Sequence, residues 1–177
     1  MMESLEKFLS TKMPSVAANG ICLKKHDEAI EILFDGITRW LMNLEKQFGA
    51  DCFKTIIDVQ FQLGLETAGQ LKEKYKLRSN IDGALDLMWL LIIPFGIRMK
   101  ALKIGEGRIR EEKTACPIFD AFRKHGVDYC EQLCISMGNG WLYAVDPNLR
   151  FELVRRGSKD CYCIKDIVDT RIEQSRV

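Results

Sequence analysis

The sequence predicts an α+β fold, with a helical N-terminal half packed on a small antiparallel sheet of strand-strand-helix-strand-strand order. Three observations predict it. Apolar residues recur at spacings of three and four through residues 1–95, the period shortens to two beyond residue 96, and the strands come in blocks rather than in regular alternation with helices. With 177 residues, 47% of them apolar and 29% charged, the chain is long enough for one well-buried core and is too hydrophobic to be disordered. It reads as a single domain over 1–177: 1–95 mainly helical, 96–168 an α+β region bearing most of the cysteines, and 169–177 a tail.

The elements follow in order. A short helix is expected over Leu5 to Lys12, then a loop around Pro14, Asn19 and Gly20. Asp27 is placed to cap a helix running to Phe48, with Gly49 as its stop and Ile30, Leu33, Phe34, Ile37, Leu41 and Leu44 on one buried face. Asp51 opens a second helix whose stripe is Phe53, Ile56, Ile57, Phe61, Leu65, Ala68 and Leu71. A third starts at Ser79 or Asn80 and ends at Ile93, because Pro94 disfavours helical geometry in the residue before it. Leu85 to Ile93 is apolar nearly all round, so this helix is expected to be the most buried; Trp40, Met42 and Trp89 are read as core. Ile97, Met99, Ala101 and Ile104 predict a strand, Gly105-Glu106-Gly107 a hairpin turn, and Arg108 to Ala115 a second, largely polar strand. Pro117 starts a helix, and two strands, Leu149 to Arg156 and Cys161 to Val168, end the fold around the turn Gly157 to Asp160.

Charge and hydropathy narrow the function classes. Lys+Arg 26 against Asp+Glu 25 gives a net charge of +1, which leaves no field to hold a nucleic-acid backbone or an anionic membrane. The apolar run Leu85 to Ile97 is broken by Asp86 and Pro94 and is far shorter than the roughly 20 residues a spanning helix needs. Glu3 and Glu6 with no apolar h-region predict no secretory signal, so a cytoplasmic, reducing location is expected. The first three helices either bury one another or form a homodimer interface.

In such a compartment the 7 cysteines are free, metal-bound or catalytic. Five of them, Cys116, Cys130, Cys134, Cys161 and Cys163, cluster in the C-terminal third. Cys116-Pro117 sits at a strand-to-helix junction, where the positive helix end stabilises a thiolate; the plainer reading is a small apolar residue at that junction. One straight helix from Pro117 onward would hold Cys116 and Cys130 about 21 Å apart at 1.5 Å per residue. His125-Gly126 instead reads as a stop, and Asp128-Tyr129-Cys130-Glu131 as a capping-box-like restart. The bend brings Cys130 into the first turn of a new helix, with Cys134 on the same face. Cys161 and Cys163 alternate in a strand and point one way. Their spacing matches no standard zinc or ferredoxin motif, so two readings stay open: thiolates holding Zn or an iron-sulfur cluster, or a metal-free site. Around them, His125 and Asp146 are candidates for moving protons, and Arg108, Arg110 and Arg155 for holding a substrate carboxylate.

The run Leu85 to Gly96, the Cys116-Pro117 step, the Cys130/Cys134 helix, and the hairpin from Phe151-Glu152-Leu153 through Arg156-Gly157 to Cys161 resemble the L-2-amino-thiazoline-4-carboxylic acid hydrolase family. The hairpin ending is also similar to vinyl reductase-type small-molecule-binding domains. The resemblance covers about residues 80–167. It implies an α+β domain with a cysteine-lined small-molecule pocket and hydrolytic opening of a sulfur- or nitrogen-containing ring, with Cys116, Cys134 and Cys161 at the matching positions. Cys163 departs from the pattern, which more usually has an aromatic residue there. Three functions are therefore expected to compete. The first is an enzyme with Cys116 as nucleophile. The second is a thiolate-ligated metal or iron-sulfur protein acting as sensor, carrier or redox partner. The third is an interaction domain with a helical docking face.

Overall fold

The computed structural model describes residues 23–174; the expected helix over Leu5 to Lys12 and the loop after it lie outside them. The described chain is α+β. Its helices are α1 (Leu23–Phe48), α2 (Cys52–Tyr75), α3 (Ile81–Ile92), α4 (Pro117–His125), α5 (Ser136–Val145) and α6 (Thr170–Gln174). The strands are β1 (Arg98–Gly105), β2 (Arg108–Ala115), β3 (Leu149–Arg155) and β4 (Ile164–Asp169), in one antiparallel sheet of order β1-β2-β4-β3. The two hairpins thus join through β2 and β4, which become the central strands.

Most helix boundaries fall where the capping residues put them. Asn80 caps α3, its side chain accepting from the Gly83 N–H at 2.9 Å. α3 ends at Ile92, and a 3₁₀ turn, Ile93–Phe95, carries the chain past Pro94 to Gly96, which takes a left-handed φ of 68°. Two expectations at α1 need correction. The helix is already under way at Leu23, so Asp27 lies inside it and does not cap it. Trp40 is 53% exposed, because it falls off the Ile30, Phe34, Leu41 stripe that packs inward.

The main core gathers Leu87, Met88, Trp89 and Ile92 of α3, Ile109 of β2, Leu142 and Val145 of α5, and Ile167 of β4. α2 lies directly on α5 because glycines let the backbones meet. A Cβ on Gly64 would stand 2.3 Å from the Met137 carbonyl oxygen, and one on Gly140 would stand 2.2 Å from that of Phe61. Lys72 of α2 then donates to the carbonyls of Ala144 and Val145, covering the C-terminal end of α5. This contact fixes the helix that continues from the turn bearing Cys130 and Cys134. No described helix is long and apolar enough to cross a membrane.

Candidate functional site

The chain does fold back after residue 125. α4 stops at His125, and Gly126 takes φ 69° as its left-handed cap. Helical geometry resumes at Cys130, whose N–H is held by Asp128 Oδ1 at 3.0 Å. The expected reciprocal bond from Glu131 does not form, because that carboxylate pairs with Arg156. Over Glu131–Ile135 the turn widens to a π-helix, with the Ser136 N–H reaching back to the Glu131 carbonyl.

This bend gathers sulfur. An apolar cavity of about 230 Å³ lies between α1, α3, the π turn and the sheet, and Cys116, Cys130, Cys134 and Cys163 all line it. Leu33, 46% exposed, and Phe95, 37% exposed, stand at its rim, so the cavity reaches solvent. Cys130, Cys163 and Lys165 also line a second recess of about 10 Å³, open beside Asp128, Glu131 and Arg156, with room for about one water.

The charges inside the cavity come from alternate residues of β2 and β4. Glu111 stands opposite Lys165 in the register of the two strands. Lys113 donates to Glu111 Oε2 at 3.0 Å, with both side chains almost wholly buried. Glu111 Oε1 has no hydrogen-bond partner. Lys165 is 5% exposed, its ammonium 5.3 Å from the centre of the Phe151 ring. Burial works against the Lys165 ammonium, but the negative charge developed on Cys134, with that of Glu111, outweighs it, and its pKa is raised. Lys113 and Lys165 both face the cavity. At its helical wall Gln60 adds a buried Oε1 that also lacks a partner.

The thiols divide in the same field. Cys130 donates its S–H to Cys134, and that bond, with Lys165 and Lys113 behind it, lowers the Cys134 pKa to about 7 against the cost of burial. The same bond, together with burial, pushes the Cys130 thiol well up. Cys116 corrects the sequence expectation. Burial and the neighbouring Cys134 charge raise it to about 12, although it does sit at the α4 N-terminus and the Phe119 N–H favours its anion. Burial likewise raises Cys163.

The remaining sequence candidates lie elsewhere. β4 begins at Ile164, so Cys161 and Cys163 precede it and do not share a strand face. Cys161 sits in the preceding turn, 3.1 Å from Ser158 Oγ and off the cavity. Arg108 and Arg110 point to the opposite face of the sheet, where both bind Asp166. Arg155 lies on the surface and reaches the Tyr162 carbonyl at 3.4 Å. His125 Nε2 is 2.8 Å from Asp35 Oδ1. Asp146 closes the C-terminus of α5 and binds Asn148 and Arg171. Cys163 apart, none of these residues lines the cavity.

Glu111, Gln60, Lys113 and Lys165 are not among the residues that motif and spacing point to in the sequence. The strand period held the signal. Ile109 and Ile167 face the core, so period-two counting sends Glu111, Lys113 and Lys165 inward and Arg108, Arg110 and Asp166 outward.

As a metal centre the donor set fits poorly. Among the described residues no three of His, Cys, Asp and Glu are arranged to hold a metal ion. Two buried ammonium groups beside the sulfurs also oppose a bound cation. No family model, curated protein or solved structure matches the chain significantly.

Proposed function

We propose that the protein is a cysteine-dependent hydrolase of a small, largely apolar molecule carrying a negative charge, with Cys134 as its nucleophile. One observation carries this reading: a thiol pair and two buried ammonium groups face a single apolar cavity. Lys165 and Lys113 hold the anionic group or the oxyanion that develops on attack, in a setting where water does not weaken the attraction. Gln60 Oε1 accepts from a donor on the opposite side of the ligand.

The chemistry divides between the two neighbouring sulfurs. Cys134 attacks an electrophilic ring or acyl carbon, a carbon–sulfur bond forms, and the bond to the leaving nitrogen or sulfur breaks. Cys130, no longer donating to an anion, gives its proton to the leaving group. A water, for which the recess beside Cys130 and Lys165 has room, then attacks the covalent intermediate. Cys130 takes back a proton and Cys134 departs as thiolate. The resemblance to the L-2-amino-thiazoline-4-carboxylic acid hydrolases supports the same class of reaction, with the nucleophile moved from Cys116 to Cys134.

The test incubates the protein with 2-amino-thiazoline-4-carboxylate and with p-nitrophenyl esters of short dicarboxylic acids. Turnover is expected, with an adduct on Cys134 in the intact mass after acid quench. Cys134→Ser should lower kcat/KM by about 10³-fold or more, while Cys161→Ser leaves it unchanged. Equal activity in Cys134→Ser, or no turnover of either probe, overturns the proposal. Metal analysis of the anaerobically purified protein accompanies it; stoichiometric zinc, or iron with sulfide, would replace this reading by the metal-binding one.

A further inference from the structure

The geometry points to a second chemistry at the same pair of sulfurs: Cys134 reduces small hydroperoxides, and Cys130 resolves the product by forming a disulfide within the helical turn. The inference rests on the assignment of Cys134 as the reactive sulfur made above, and not on hydrolysis.

Three features support it. The two sulfurs line the same cavity from one stretch of helix, four residues apart, which puts them on the same face. They lie where a small oxidant can arrive from two sides, because Cys130 lines both the main cavity and the water-sized recess beside Asp128 and Arg156. Hydrogen peroxide is little larger than the water that recess admits, and a short alkyl hydroperoxide is accommodated by the main cavity. The backbone also has slack at this point. Side chains four apart on a regular helix hold their Cβ atoms about 5–6 Å apart, whereas a disulfide needs about 3.5–4.5 Å. The widened turn Glu131–Ile135 starts directly after Cys130 and contains Cys134, and the N–H of Cys130 is held by the Asp128 side chain, so closing that gap strains no regular helical N–H bond at its start.

The step balances. The Cys134 sulfur attacks the distal oxygen of the hydroperoxide, the O–O bond breaks, and the alcohol or water leaves with a proton. Cys134, oxidised by two electrons, is then a sulfenic acid. The Cys130 sulfur attacks it, the S–O bond breaks, and hydroxide leaves with the Cys130 proton as water. In total one hydroperoxide and two thiols give an alcohol, water and a disulfide; an external dithiol is required to restore the pair. Cys116 and Cys163 line the same cavity, but burial holds both as neutral thiols.

The test needs no hydrolase substrate, so its failure leaves the hydrolytic reading standing, and the reverse also holds. The reduced full chain is treated with a slight excess of hydrogen peroxide, with and without dimedone, and digested with trypsin. Cys130 and Cys134 fall in one tryptic peptide, His125 to Arg150. The expected result is loss of two hydrogens from that peptide, reversed by dithiothreitol. Cys130→Ser should instead accumulate a dimedone adduct on Cys134, and Cys134→Ser should slow peroxide consumption at least tenfold. An unchanged peptide at peroxide levels that already oxidise methionine overturns the inference. A dimedone adduct on Cys116 or Cys163 in place of Cys134, or a disulfide joining Cys134 to either of them, overturns it equally.

Discussion

The two faces of the β2–β4 pair carry similar residues and do opposite things with them. On the outer face, Arg108 and Arg110 converge on Asp166, and Arg108 also reaches Glu152, each contact at 2.8–2.9 Å. Burial works against the Asp166 carboxylate, but its arginine hydrogen bonds prevail and its pKa falls. On the inner face, Glu111 and Lys113 pair, while Lys165 has an aromatic ring and sulfur for company. Outside, Arg108, Arg110, Asp166 and Glu152 pair with one another and water finishes the solvation. Inside, the carboxylate of Glu111 balances one ammonium group and leaves the second to be neutralised by the Cys134 thiolate or by a ligand. A salt-bridge network on one side and a reactive site on the other thus differ in one respect, the completeness of charge compensation where water is scarce.

The sharpest way to break that comparison is to reverse the uncompensated charge. Lys165→Glu sets two carboxylates opposite each other in a buried register, and is expected to destabilise the fold by about 3–5 kcal/mol in urea denaturation. Lys165→Met keeps the stem and removes the charge. Its stability is expected to stay within about 1 kcal/mol of the parent chain or to rise, because a buried cation is costly, while hydrolysis falls by about 100-fold. Equal losses of stability in both variants would show that Lys165 acts only as structure.

Titration separates the faces by a smaller effect. Cys134 is depressed to about 7 from an ordinary 9.0, so it contributes stability that is complete above the ordinary thiol pKa and is lost as pH falls through about 7. The outer Asp166 is depressed as well, and its contribution disappears only in acid, below the carboxylate range. Cys116 and Cys163 have the opposite sign: their raised values destabilise the fold once the pH exceeds that of an ordinary thiol. Iodoacetamide labelling followed by mass spectrometry is expected to give a midpoint near 7 for Cys134, with Cys116 unlabelled until the pH nears 12. A Cys134 midpoint at the ordinary thiol value would remove the nucleophile from the proposed mechanism.

How much of this the sequence disclosed follows from which signals are local. The Asn80 cap, the Gly105-Glu106-Gly107 turn, the Cys116-Pro117 junction and the Gly126 stop are each written in a few neighbouring residues, and all fall where expected. The fold-back that gathers Cys116, Cys130 and Cys134 follows from the last two of these. What stayed hidden depends on distant partners. Gly64 and Gly140 look like helix-weakening residues until α2 and α5 are seen to touch through them. The arginines of β2 have the chemistry to hold a carboxylate, but the strand phase that turns them away from the cavity depends on which side β4 buries Ile167. Cys161 has strand-like spacing to Cys163, but β4 begins only at Ile164, so the alternation starts three residues later than the spacing suggests. The helix end favours the Cys116 thiolate, but burial, a tertiary property, outweighs that end.

The smallest expected effect lies on the outer face and tests the other half of the comparison. Arg108 and Arg110 are about one-third exposed, 29% and 32%, while Asp166 is buried. Arg110→Ala leaves Arg108 on the Asp166 carboxylate, so the loss should be no more than about 1 kcal/mol in urea denaturation. It should shrink further in about 1 M salt, where the screening length falls to about 3 Å. Asp166→Asn removes the shared acceptor charge and leaves two guanidinium groups facing each other, so it should cost more, about 1–2 kcal/mol. Neither variant should change hydrolysis or peroxide consumption by more than about twofold, since the sheet backbone separates them from the cavity. A large drop in either activity in Arg110→Ala at unchanged stability would mean that the outer network sets the position of Glu111 and Lys165, and the two faces would then have to be treated as one coupled device.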